Sequence, residues 1–280
     1  VNPLAVEQLI LNFLNEDLGL LGDLTSSALP RRRVKGNFIF KEEGLVCGLP
    51  FAEVTFRLLD PSVEFEAFVE EGAEVEPGTV VCSVYGEARA VLAAERTALN
   101  LLQRLSGVAT NTSKFAKELE GSSVKLLDTR KTTPGLRLFE KYATKVGGAY
   151  NHRFGLYDAV MIKDNHLKVY GSLKEAVVAV SKVKPVTAAV EVEVENFPQL
   201  EEALSVVDLI DLIMLDNWPD EEVEEAVSLI RRESPSVKVE LSGGVDLKRL
   251  KFIKNLPIDF VSTSKLVTGA KWLDVSLELE

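Results

Sequence analysis

Six short apolar runs recur from about residue 108 onward: Val124–Leu127, Ala159–Ile162, Val186–Val194, Leu209–Leu215, Val237–Leu241 and Ile258–Val261. Segments with helical apolar spacing lie between them, among them Ser172–Lys182, Pro219–Arg232 and Asp246–Lys254. Strands that alternate with helices predict βα units and a parallel sheet. In such a sheet the carboxyl ends of the strands converge on one rim, where α/β folds bind their ligands. Every run ends in polar residues. The first ends in Asp128-Thr129-Arg130-Lys131 and the second in Lys163-Asp164-Asn165-His166. The third carries Glu191, Glu193 and Glu195, and the fourth ends in Asp216-Asn217. The last two end in Ser242-Gly243-Gly244 and Ser262-Thr263-Ser264-Lys265. Surface helices explain one or two such endings, not six.

Residues 1–108 have a different rhythm. A helix is predicted over Val6–Leu18, followed by β-rich runs at Val34–Phe40 and Val63–Val69. Gly72, Pro77-Gly78 and Gly86 mark turns. A long helix from about Glu87 to Leu105 carries Arg96 and Arg104, with Gly107 expected to end it. The chain thus reads as an N-terminal domain over 1–108 and a barrel domain over 109–268. The tail 269–280 is expected to pack back on the first domain.

Charge narrows the ligand. The chain carries a net −11, yet the window Arg96–His166 holds twelve Lys and Arg against six Asp and Glu. A basic window in an acidic protein suits a small, multiply anionic ligand. Nucleic acid is a poor partner, because the overall charge repels it and aromatics do not interleave the basic residues. Lys114, Lys117, Lys141 and Lys145 read as solvated helix faces. Arg130, Lys131, Arg153 and Lys163 flank apolar runs and read as functional. No apolar run approaches the ~20 residues that span a bilayer. The start, Val1-Asn2-Pro3-Leu4, lacks a signal-peptide pattern, so a cytoplasmic location is expected. Cys47 and Cys82 have no metal-type spacing and read as buried reduced thiols.

Alternation with valine puts Glu191, Glu193 and Glu195 on one face of their strand. Inside a barrel, unpaired carboxylates are costly, so these need Lys, Arg or metal partners. Asp216, at the end of the next strand, can join Glu195 at a hard cation such as Mg²⁺, which takes one or two carboxylates plus substrate phosphates. Ser242-Gly243-Gly244 before a helix suggests a phosphate cradle.

Several motifs together are similar to the quinolinate phosphoribosyltransferase family, the nicotinate-nucleotide pyrophosphorylases. They are Asp128-Thr129-Arg130-Lys131-Thr132-Thr133-Pro134-Gly135, Asn151-His152-Arg153 and Met161-Ile162-Lys163-Asp164-Asn165-His166. The likeness runs from Glu16-Asp17-Leu18-Gly19 through Glu95–Asn100 and Arg104–Thr110 to beyond Gly244. It implies an N-terminal α/β sandwich plus an open, incomplete α/β barrel of about six strands. The reaction implied is that of quinolinate with phosphoribosyl pyrophosphate, giving nicotinate mononucleotide, pyrophosphate and CO₂ in NAD biosynthesis.

The resemblance assigns the quinolinate carboxylates to Arg130, His152 and Arg153 with Lys163 nearby. Lys131 and Lys163 then contact phosphoribosyl pyrophosphate, Glu195 and Asp216 position Mg²⁺ and the ribose, and Ser242, Gly243 and Gly244 meet the 5′-phosphate. Thr263 and Ser264 belong to the last phosphate loop. Arg96 reaches into the partner's site across a homodimer, with assembly into a hexamer left open. Two departures stand out. Ser264 occupies a position where the family has glycine, and an extra residue, in Leu20-Leu21, precedes Gly22. Two rivals are a molybdenum-transport-associated paralogue and a non-catalytic anion binder on the same scaffold. The full Arg130, His152, Arg153, Lys163 set weighs against the first, and Glu195 with Asp216 weighs against the second.

Overall fold

A computed structural model describes residues 1–280. The chain divides into two compact units. One comprises residues 1–113, 133–148 and 269–280, and the other residues 114–132 and 149–268. No helix is long and apolar enough to cross a membrane.

The first unit opens with α1 (Pro3–Leu18), which buries Val6, Ile10 and Leu14, one residue per turn. Asn2 caps it, its side chain accepting from the Leu4 amide, and Pro3 supplies a preset φ at the first turn. A short α2 (Leu24–Ser27) follows, capped by Asp23. The sheet consists of β1 (Arg33–Phe40), β3 (Glu64–Ala67), β5 (Val80–Glu87) and the C-terminal strand Val275–Leu279. Its order is C-terminal strand, β1, β5, β3, with antiparallel pairing throughout. β2 (Gly44–Leu45) and β4 (Glu74–Val75) form a separate small ribbon. α3 (Leu49–Leu59) and α4 (Ala88–Glu118) complete this part of the unit. Phe38, Phe40, Phe56, Leu99 and Leu102 fill the core. Cys47 and Cys82 are buried free thiols.

Two sequence expectations fail here, for physical reasons. Gly107 does not end α4, which runs on to Glu118. A Cβ at Gly107 would lie 1.8 Å from the Lys271 carbonyl oxygen. The glycine therefore admits the C-terminal segment against the helix rather than capping it. Lys141 is not solvated. It lies on α5 (Arg137–Val146), whose Phe139, Glu140, Lys141, Ala143 and Thr144 are all buried. Segment 133–148 groups with this unit, although it follows β6 in sequence. Phe139 packs edge-on against Phe51, the Tyr142 hydroxyl donates to Glu71, and Arg104 donates to Glu140.

The second unit holds six parallel strands: β6 (Lys125–Leu127), β7 (Val160–Ile162), β8 (Val190–Val194), β9 (Leu212–Asp216), β10 (Lys238–Ser242) and β11 (Phe260–Ser262). The order is β6-β11-β10-β9-β8-β7, so β6 and β7 are the free edges of an open barrel. This is the fold class expected. α6 (Asp164–Tyr170), α7 (Leu173–Ser181), α8 (Phe197–Leu204), α9 (Asp220–Glu233) and α10 (Leu247–Ile253) connect the strands. All five β8 residues are buried. Val190, Val192 and Val194 join the core with Leu173, Trp218 and Val239. Strand ends shifted from the apolar runs: Val186 is 96% exposed, and Val207–Leu209 is a 3₁₀ turn. Apolar runs alone do not mark where pairing begins.

Gly107→Ala tests the close approach. It should lower unfolding stability by about 1–3 kcal/mol or more in chemical denaturation. An unchanged midpoint would show that the C-terminal segment is not held there.

Candidate active site

The site lies within the second unit, at the carboxyl ends of its strands. A cavity of about 490 Å³ is lined by Arg130, Lys131, His152, Arg153 and Lys163, by Asp164, Glu193 and Asp216, and by Thr129, Ser242, Ser262, Met161 and Met214.

Buried Asp128 builds its first wall. Following β6, it accepts from Asn151 Nδ2 at 2.6 Å and from the His152 amide at 2.9 Å. One carboxylate thereby joins the Arg130-Lys131 loop to the Asn151-His152-Arg153 segment. Thr129 Oγ1 accepts from the Lys131 amide at 3.0 Å. Arg153 Nη1 donates to the Ala159 carbonyl at 3.1 Å. Burial, and then the nearby Arg130 guanidinium, hold the Arg153 pKa below its usual value. Two guanidiniums facing one partly buried space favour an anionic ligand between them.

Lys163 caps α6, its amide donating to His166 Nδ1 at 2.9 Å. His166 is thus a helix-capping residue, exposed on its own turn. Lys163 Nζ meets Glu193 at 2.5 Å. His152 Nε2 lies 3.0 Å from Glu191 and 3.5 Å from Glu240. Burial alone would lower the His152 pKa, but the hydrogen bonds and charges of the two glutamates outweigh it and raise it to about 10. Burial, then repulsion from Glu240, pushes Glu191 up to about 7, against the opposing pull of His152.

Carboxylate oxygens of Glu193, Glu195 and Asp216 lie within 4.8 Å of one another. Burial, and next the charge of Glu193, raise the Asp216 pKa, with Lys163 opposing and Glu195 adding to the rise. Glu193 is committed to Lys163, which leaves Glu195 and Asp216 as the pair for a cation. An all-carboxylate donor set with open space beside it suits a hard ion such as Mg²⁺.

The glycine loop is fixed from below. Arg249 donates to the Gly243 carbonyl, to Asp220 and to the Trp218 carbonyl. Gly243 has φ +83°, and a Cβ there would meet Asn217 Oδ1 at 2.2 Å. Asn217 itself is left-handed, with φ 57°. Asp246 already caps α10, so an anion at Ser242-Gly243-Gly244 meets the loop rather than that helix terminus. Ser262 Oγ donates to Ser242 Oγ at 3.1 Å, and buried Thr263 donates to the Val245 carbonyl at 3.0 Å. Ser264, half-buried, starts the turn after β11.

Most of the sequence candidates therefore converge. Glu195, Gly243, Gly244, Thr263 and Ser264 stand around the rim without lining the cavity. Arg96 is exposed on α4, in the first unit. Sequence reasoning missed Asp128 as an anchor, Glu240 and Asn217. A lone acid in the apolar run Val237–Leu241, two residues before Ser242, was the available signal for Glu240.

Comparison with known proteins fits this geometry. Residues 108–278 match the quinolinate phosphoribosyl transferase C-terminal domain, and residues 23–106 match the N-terminal domain. A probable nicotinate-nucleotide pyrophosphorylase [carboxylating] of Synechocystis sp. is 40% identical over 99% of this chain and 93% of its own. A Bacillus subtilis protein of the same name is 39% identical over 100% and 95%. The crystal structure of NadC from Streptococcus pyogenes superposes with a TM-score of 0.90 at 38% identity, covering 100% of this chain and 99% of that one. The fold is that of a phosphoribosyl-transferring α/β barrel protein. The chain belongs to the quinolinate phosphoribosyl transferase family.

Alanine at the two loop glycines should separate strain from clash. Gly244→Ala meets only Arg249 at 3.6 Å and should cost about 1–2 kcal/mol from its left-handed φ. Gly243→Ala should cost about 1–3 kcal/mol more. Equal losses in thermal unfolding would contradict the packing described.

Proposed function

We propose that the protein transfers the phosphoribosyl group of phosphoribosyl pyrophosphate to quinolinate, releasing pyrophosphate and CO₂ and leaving nicotinate mononucleotide for NAD biosynthesis. The observation that carries this reading is one cavity lined by Arg130, Lys131, Arg153, Lys163 and Asp216, with Glu195 at its rim within 4.8 Å of Asp216. Family membership supports it. A cytoplasmic location accords with the small soluble substrates.

Arg130 and Arg153 grip the two quinolinate carboxylates, with Lys163 beside them and His152 forming the wall between. Lys131 and Lys163 face the pyrophosphate end of the donor. Ser242, Gly243 and Gly244, with Thr263 and Ser264, border the 5′-phosphate. Glu195 and Asp216 hold Mg²⁺, which supplies charge neutralisation for the leaving pyrophosphate. The same carboxylates face the ribose, where positive charge develops as the C1–O bond breaks. No covalent nucleophile is needed, because the ring nitrogen of quinolinate attacks C1 directly. The new pyridinium charge then favours loss of the adjacent carboxylate as CO₂, because it stabilises the electron pair left on that ring carbon, which takes up a proton from solvent. The protein's own work is orientation and electrostatics.

Product analysis tests the assignment. Quinolinate, phosphoribosyl pyrophosphate and Mg²⁺ should yield nicotinate mononucleotide. Nicotinate should react with a kcat/KM at least about tenfold lower, since it leaves charged donors unpaired. Comparable use of both acids would sink the reading.

The metal pair separates by its own readout. Glu195→Gln should raise the Mg²⁺ concentration for half-maximal rate several-fold while leaving quinolinate binding intact. A lost quinolinate affinity with an unchanged Mg²⁺ requirement would instead make Glu195 a charge-balancing residue.

We also propose a homodimer in which Arg96 enters the neighbouring subunit's site. Mixing inactive Arg96→Ala and Lys163→Ala proteins should then restore activity, because a hybrid dimer can assemble one complete site. Failure despite proven subunit exchange would place Arg96 elsewhere.

A further inference from the structure

Glu240 has no role in the chemistry above, yet it is a fully buried acid inside the barrel. No hydrogen bond of good geometry reaches either of its carboxylate oxygens, and none reaches Glu191 Oε1. The charged neighbour of Glu240 is His152, whose Nε2 lies 3.5 Å from one oxygen and 3.0 Å from Glu191. The approach to Glu191 is a hydrogen-bond distance, and the one to Glu240 is a longer ion-pair contact. Burying a carboxylate without donors is strongly unfavourable, so a residue kept in this state has its side chain directed at something specific.

The two glutamates come from different strands, Glu191 from β8 and Glu240 from β10, with β9 between them. His152 comes from neither. It sits on the segment that follows α5, held at its amide by Asp128. Its ring therefore reaches into the barrel and is gripped on one nitrogen from two sides. On the other side, Nδ1 accepts from the Arg153 amide at 2.7 Å. The ring is fixed at both nitrogens, and the backbone of Arg153 is fixed with it. Asp128 meets the His152 amide rather than its ring, and Arg130 is a charged neighbour of Arg153.

We propose that Glu240, together with Glu191, is a positioning residue for the quinolinate pocket. The pair clamps His152 Nε2 and, through the ring, sets where the Arg153 backbone and side chain stand. Neither glutamate lines the cavity. The pocket's dicarboxylate geometry thus depends on two acids that do not touch substrate, much as outer-shell carboxylates orient ligating histidines at metal sites. This inference rests on the transferase reading for its consequence in kinetics, but its structural core is independent of that reading.

The chain has two histidines, His152 and His166, which makes the test direct. Histidine ¹⁵N NMR of the full-length protein follows both rings, with a His152→Gln control identifying the signal. In Glu240→Gln and Glu191→Gln the His152 midpoint should fall by about one pH unit or more, since a nearby opposite charge is lost. The KM for quinolinate should rise about tenfold while that for phosphoribosyl pyrophosphate changes little, the split expected when one subsite is disturbed. Circular dichroism and the unchanged His166 signal establish that the variants are folded. A His152 midpoint that stays put in folded Glu240→Gln overturns the proposal. So does an equal rise in both KM values. A midpoint that falls in a protein that turns over no quinolinate upholds the clamp and sinks the transferase reading alone.

Discussion

Acids on the inner face of β8 are the constraint on which the site depends. A parallel strand that alternates valine with glutamate has no choice about direction. Val190, Val192 and Val194 enter the core beneath the helices, so Glu191 and Glu193 enter the barrel. There they need compensation, because a buried carboxylate without a partner is strongly destabilising. Lys163 answers Glu193 from the end of β7, and His152 answers Glu191 from the segment after α5. Both side chains are thereby brought to the same cavity. Arg130, Lys131 and Arg153 arrive beside them through the Asp128 anchor, which joins two stretches of chain by one side chain.

The arrangement is layered by charge. Glu191, Glu193 and Glu240 are buried, His152 and Lys163 meet them, and Glu195 and Asp216 gather beside Glu193. On the proposed reading, a dicarboxylate placed between the Arg130 and Arg153 guanidiniums would meet positive charge. On that reading, a donor bearing phosphates would meet Lys131, the Glu195 and Asp216 carboxylates, and the Gly243 loop. Such a division would let one open barrel hold two anions side by side without placing their charges against each other.

Much of this was legible in the sequence. The six runs, their polar ends and the parallel order followed from alternation of strand and helix periods, and the open barrel of six strands is what the chain forms. The inward direction of Glu191 and Glu193 followed from the period of two. What could not be read were long-range partners. Nothing local tells that Glu240 shares a nitrogen with Glu191, or that Asp128 anchors Asn151. Gly107 looked like a helix end because its reason lies 164 positions away, at Lys271. Lys141 looked solvated because helical spacing does not say which polar face a neighbouring segment will cover. Strand ends moved by a few residues, as at Val186, because apolar composition continues past the last ladder hydrogen bond.

The central claim is that the cationic wall recognises both carboxylates of quinolinate at once. A crystal structure of the protein with quinolinate bound tests it most directly. Both carboxylates should lie within hydrogen-bond distance of Arg130, Arg153 or Lys163, with His152 still held by Glu191 and Glu240. A ligand held through one carboxylate alone, or seated against Glu195 and Asp216, would contradict it.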